Sequence, residues 1–248
     1  MKKIIASAVF SFLMIVLSAG PMFHMIREAL IENIIEMRYE IHHVYTGEDG
    51  FEDIINAQEL IIDNINIKII EEETGLKAPL TPWDIDEHVP PGDIVKIHLL
   101  LNDKEITNPD KIWLSNRERG SRYFSWLDIL TVKDRMTGEK QIKIVQRLTD
   151  DVSMDYREWK IITIYENGDS KEEKLNYTQR GENKLDVKLI NFSNTGLMYM
   201  SYYSDILQGY PSLIFPIIYP ILTSLAGMIL LITVMRLYFK RKRTPFRE

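Results

Sequence analysis

The chain has no cysteine in 248 residues. That excludes disulfide staples, thiol nucleophiles and thiolate metal sites. For an exported domain it fits a bacterial envelope better than an animal secretory route. Signature motifs are missing too. There is no Gly-x-Ser-x-Gly elbow, no Ser-x-x-Lys, no P-loop and no Gly-x-Gly-x-x-Gly, so nothing here announces a nucleophile, a phosphate cradle or a dinucleotide site. Histidine is scarce, at five residues, and no His-x-x-x-His pair occurs. No internal repeat or low-complexity tract is visible.

What the chain does have is two long apolar segments, Ile4 to Phe23 and Ser212 to Met235. A bilayer core is about 30 Å thick, so a spanning helix needs roughly 20 apolar residues. The second segment carries no Asp, Glu, Lys or Arg, and Pro211, Pro216 and Pro220 crowd its start. Proline removes backbone donors and kinks helices, so an irregular start and a regular helix from about Ile221 are expected. Tyr210, Tyr219 and Tyr238 sit where aromatic belts form. The first segment, two lysines followed by a short apolar run and Ser-Ala-Gly-Pro, describes a secretory signal peptide as well as an anchor. Poor cleavage positions around Leu17 to Pro21 favour the anchor.

Basic residues lie outside both segments: Lys2 and Lys3 before the first, Arg236 and Lys240 to Arg243 after the second. By the positive-inside bias this predicts cytoplasmic termini in a bacterial plasma membrane, with residues 24–210 outside. That middle carries 22 basic and 35 acidic residues, a net charge of −13. Such a charge argues against nucleic acid as a partner. The lipid bilayer is the first partner implied, and the basic tail suits an anionic inner leaflet.

The expected fold is an α+β membrane protein, in which two transmembrane helices bracket an extracytoplasmic domain. In chain order the sequence predicts a cytoplasmic N-terminus at 1–3, helix 1 at 4–23, an amphipathic helical region at 24–75, a Pro-rich linker at 76–92, an antiparallel β-rich domain at 93–210, helix 2 at 212–235 and a basic tail at 236–248. Within 24–75, Ile26, Leu30, Ile34, Met37, Ile41 and Val44 step at helical spacing, and Phe51 to Glu73 offers a second apolar face. A helical hairpin is the expectation, although Asn64 to Ile69 also alternates with period two. The first stripe suits packing against its own neighbours or, as a short coiled coil, against a partner chain. Beyond the linker, strands are expected near 123–133, 140–148, 158–166, 171–178, 184–192 and 196–203. Turns at Thr137-Gly138, Asn167-Gly168, Arg180-Gly181 and Thr195-Gly196 separate them. The result is a meander that closes into a sandwich or curved half-barrel.

Candidate chemistry is thin. Asp84, Asp86, Glu87 and His88, a run of carboxylates and one imidazole between prolines, form the best metal candidate. Asp150, Asp151 and Asp155 match a calcium loop only loosely. His42 and His43 are adjacent near an expected helix end, where they cannot share a metal but could act as an acid sensor. Tyr123, Phe124, Trp126, Trp159, Tyr199, Tyr202 and Tyr203 are expected in the core or, as stacking groups, against a sugar or peptide. No cofactor and no catalytic residue is predicted. The leading expectation is a membrane-anchored interaction or sensing module with a membrane or envelope protein partner. Alternatives are a homo-oligomeric two-span scaffold or channel-like assembly, and a metal-dependent hydrolase using the Asp84–His88 loop. In outline, two spans with Pro211, Pro216, Pro220 and Gly227 at the second resemble polysaccharide chain-length regulators. That resemblance implies an oligomer, while the strand-rich middle departs from the long helices of that family.

Overall fold

A computed structural model of the chain describes residues 2–44, 58–80, 90–116, 122–150, 156–179, 185–195 and 217–243. Two compact units result: Met1–Ile31 with Ser201–Glu248, and Glu32–Met200.

Two helices are long and apolar enough to cross a membrane, and the first unit holds the second of them and the first through Ile31. Helix α1 runs Lys2–Arg38 without a break at Pro21. At 1.5 Å per residue its 37 residues extend about 55 Å, well beyond what a bilayer core requires. Ser11, Ser18 and Met25 are buried at intervals of seven. In the C-terminal helix (Tyr219–Arg243) Pro220, Gly227 and Val234 are buried at the same interval. The small residues among them, Ser11 and Gly227, let the backbones approach. A Cβ on Gly227 would stand 2.9 Å from Ile15 Cγ1 and 3.1 Å from the Ser11 carbonyl. Without a hydrophobic drive between helices in lipid, such close contact is what holds a pair together. Pro211 and Pro216 lie outside the described residues.

The second unit is two antiparallel five-stranded sheets and a short helix. The first sheet is ordered β1 (Tyr39–His43), β7 (Leu127–Asp134), β8 (Lys140–Arg147), β9 (Glu158–Tyr165), β10 (Ser170–Asn176). The second contains β2 (Glu59–Ile62), β3 (Ile65–Lys77), β4 (Asp93–Leu101) and β5 (Lys104–Glu105), with β6 (Asp110–Trp113) also paired to β4. Four of the six strands expected in the meander are present, as β7 to β10. Alternation decides what each face does. Ile67, Ile69, Ile97, Leu99 and Ile112 of one sheet and Ile129, Ile142, Ile144, Ile162 and Ile164 of the other form a single buried cluster. The opposite face of the first sheet buries Leu130, Val132, Val145, Trp159 and Ile161 beneath helix α2 (Leu185–Phe192), which contributes Val187, Leu189 and Ile190. Numbering by chain order makes the C-terminal helix α3.

Several expectations are corrected: the first helical stripe ends at Arg38, so that Ile41 lies on β1 and Val44 just beyond it. Among the described residues the second arm of the helical hairpin is replaced by strands: 59–62 and 65–77 are joined by an Asp63-Asn64 turn with φ of 47° and 68°. Two positive φ values define the tight hairpin turn that matches strand twist, and the period-two run from Asn64 to Ile69 is the pattern that prevails. Strand β3 also runs through Lys77, into the stretch expected to be linker. Segment 184–192, expected as a strand, is α2 over 185–192. Leu185 and Leu189 are four apart, so the same residues satisfy a helical face. Of the expected turns, Gly138 and Gly168 have positive φ (80° and 84°) but Asn167 does not; Gly168 N donates to the Tyr165 carbonyl (2.9 Å) and Tyr165 N to the Asp169 carbonyl (3.0 Å), so the β9–β10 connection is a three-residue loop with a left-handed glycine rather than a two-residue one. The segments 51–57 and 196–203 lie outside the described residues.

Candidate ligand cleft at the first strand

Arg38 ends α1 and Tyr39 begins β1, with no residue between them. Basic residues suit helix C-termini, where carbonyls lack partners. Here the Arg38 carbonyl accepts from Arg135 N at 2.8 Å, and the guanidinium donates through Nε (2.9 Å) and Nη2 (2.8 Å) to Asp134 Oδ2. The other carboxylate oxygen accepts from Met136 N at 2.8 Å. Arg38 foremost, with these backbone donors, holds the Asp134 carboxyl below its ordinary range. The end of the helix is therefore clamped to the β7–β8 turn.

Strand β1 then sends alternate side chains to opposite sides. Tyr39, Ile41 and His43 face the core under α2. His43 Nδ1 lies 3.0 Å from Asp128 Oδ2, and the imidazole stacks on Phe192 with ring centroids 4.9 Å apart. Asp128 is buried and also accepts from Ile129 N and Asn194 N, each at 2.8 Å. Ser193 is close in sequence, but its hydroxyl is engaged with the Ile190 carbonyl (3.0 Å) and Thr195 Oγ1 (2.7 Å). His43 thus fixes β1 to β7 and to the end of α2. It is not on a helix end, as expected from sequence, and its separation from His42 comes from strand alternation instead.

Glu40 and His42 face the other way, into a cleft of about 710 Å³. Thr131 and Lys133 of β7, Lys140 and Ile142 of β8, Glu166 after β9, and the Ile62-Asp63-Asn64-Ile65 turn of the second sheet are among the residues that line it. Its volume lies within the usual range of small-molecule pockets. The charges are ordered by strand register. Glu40 is opposite Lys133, and Lys133 is opposite Lys140. The Glu166 carboxylate accepts from Lys140 N at 3.2 Å. One transverse row therefore reads acid, base, base, acid. Asp63 reaches over from the other sheet to place Oδ2 3.1 Å from Lys140 Nζ. His42 Nε2 is 3.1 Å from Glu40 Oε1, and this bond foremost lowers the Glu40 carboxyl.

The residues singled out from sequence fare unevenly. Asp84, Asp86, Glu87 and His88 lie outside the described residues, as do Asp151 and Asp155. Among the described residues no group of three metal-ligating side chains comes together. His98 is on β4, between Glu105 (Nδ1 to Oε1, 2.7 Å) and Glu72 (Nε2 to Oε2, 3.2 Å), which together raise its proton affinity, Glu105 most. Tyr123, Trp126 and Trp159 are core residues, and Phe124 is half-exposed. Sequence reasoning did not find the cleft. Its members come from five separated segments, and only the alternation in Tyr39-Glu-Ile-His-His hinted at two faces. No protein-family model, curated protein or solved structure matches the chain.

Proposed function

We propose that the protein is a membrane-anchored extracytoplasmic sensing or interaction module, in which both apolar helices span the bilayer, both termini are cytoplasmic and residues 24–210 lie outside. The observation that carries it is the direct passage from α1 to β1 at Arg38-Tyr39. A linker would absorb motion. Here a displacement of β1, through Glu40 and His42 on one side or His43 on the other, has no slack before it reaches the helix. Ile26, Leu30, Ile34 and Met37 are each more than half exposed along α1, and such a stripe supports a protein partner in the membrane or envelope. Mild crosslinking in native membranes, followed by capture of the full chain, is the test. The expected product joins it to a membrane or envelope protein, at reduced yield for Asp134→Asn. Recovery of the chain alone overturns the reading.

A further inference from the structure

We infer that the cleft beside β1 binds a short peptide with free amino and carboxyl termini and an apolar side chain; this deepens the sensing role proposed above, because Glu40 and His42 belong to β1. The row of charges is the first ground. Lys133 and Lys140 are direct cross-strand partners on one face, and like charges in that relation repel. A carboxylate placed between them relieves the repulsion and gains two charge-assisted hydrogen bonds. The structure already brings one carboxylate to this pair, since Asp63 contacts Lys140 from the opposite sheet. Asp63 and Lys140 are both more than half exposed, and exposed pairs of this kind contribute little, so an incoming carboxylate displaces Asp63 at small cost.

The flanking acids are the second ground. Glu40 and Glu166 stand one strand further out on either side, about 5 Å away at ordinary strand spacing. An ammonium at one end of a compact zwitterion meets one of them while its carboxylate rests on the lysines. Between the charges, Ile62, Ile65 and Ile142 line the same cleft and offer an apolar floor for a side chain. A purely anionic ligand leaves the flanking acids unused and repelled; a purely cationic one meets the lysines.

Calorimetry on the full chain in phosphatidylcholine nanodiscs tests the assignment, with Leu-Leu, N-acetyl-Leu-Leu and Leu-Leu amide as probes. Leu-Leu is expected to bind, and each blocked form to bind about tenfold more weakly through loss of one charge-assisted contact. Lys133→Ala and Lys140→Ala are expected to weaken Leu-Leu by a similar factor. Asp63→Asn is expected to tighten it several-fold, because it removes the internal competitor. A supporting role for Asp63 in the turn alone would not tighten anything. Absence of heat from Leu-Leu with a chain that retains its circular dichroism overturns the proposal, as does equal affinity for the three probes or weaker binding by Asp63→Asn. If Leu-Leu fails while the crosslinked product persists, the ligand falls and the sensing role stands; binding without that product removes the sensing role and leaves the ligand.

Discussion

Glu71 shows how far single residues resist sequence reading. It opens the run Glu71-Glu72-Glu73, which any pattern assigns to solvent. Yet alternation along β3 continues Ile67, Ile69, Glu71 on the core side, and the side chain is largely buried. Arg122, distant in sequence, supplies the reason: Nε and Nη2 donate to Oε1 and Oε2, each at 2.7 Å, and Tyr123 OH donates to Oε1 at 2.6 Å. Arg122 foremost holds the Glu71 carboxyl below its ordinary 4.5, against burial, which pushes the other way. Burial, with Glu71, pushes the Tyr123 hydroxyl far up. The sign for stability follows. A carboxyl lowered in the folded state binds its proton more readily when unfolded, so its contribution is complete above about pH 4.5 and is lost as pH falls through the folded value. Glu71→Gln is expected to lower stability at neutral pH by about 2 kcal/mol, the cost of leaving buried polar groups imperfectly paired, and to flatten the acid limb of the unfolding curve. Urea titrations of both chains between pH 3 and 7 measure it; parallel acid limbs would refute the assignment.

At the scale of elements, the sequence is legible where alternation recurs between glycine turns and misleading where two periods fit the same residues. The β7 to β10 meander follows from alternating apolar residues separated by Gly138 and Gly168. Three alternating residues in Leu185, Val187 and Leu189 cannot separate a strand from two turns of helix, and the deciding fact is tertiary: α2 covers Trp159 and Val145 on the back of the first sheet. The cleft was illegible for the same reason, since its charges meet only through register. The α1–β1 junction is where an element-level prediction is sharpest. Asp134 accepts from the side chain of Arg38 and from backbone amides of its own turn, so Asp134→Asn weakens the charge-assisted contact but keeps an acceptor for the turn. The expected result is a lower Tm above pH 5 that converges with the parent chain as acid protonates Asp134, because its lowered carboxyl contributes only while ionised. Hydrogen exchange on the same pair is expected to quicken at residues 39–43 more than in β8 or β9. Uniform quickening would show that the clamp is not local.

For the whole molecule, charge and hydropathy speak before structure does. In the topology proposed above, a middle of net charge −13 lies outside and the basic flanks of the two apolar helices lie at the anionic inner leaflet. The arrangement predicts labelling directly, and the missing cysteine makes the experiment clean, because the parent chain has no thiol to react. Met136 stands on the β7–β8 turn and is 81% exposed. In intact bacterial cells Met136→Cys is expected to react with a membrane-impermeant maleimide, whereas Phe246→Cys in the basic tail reacts only after permeabilisation. A cleaved first segment leaves both results unchanged but shortens the chain by about 2 kDa on a gel, so one experiment settles the sidedness and the fate of α1 together. Labelling of Phe246→Cys in intact cells would place the tail outside and would overturn the proposed topology.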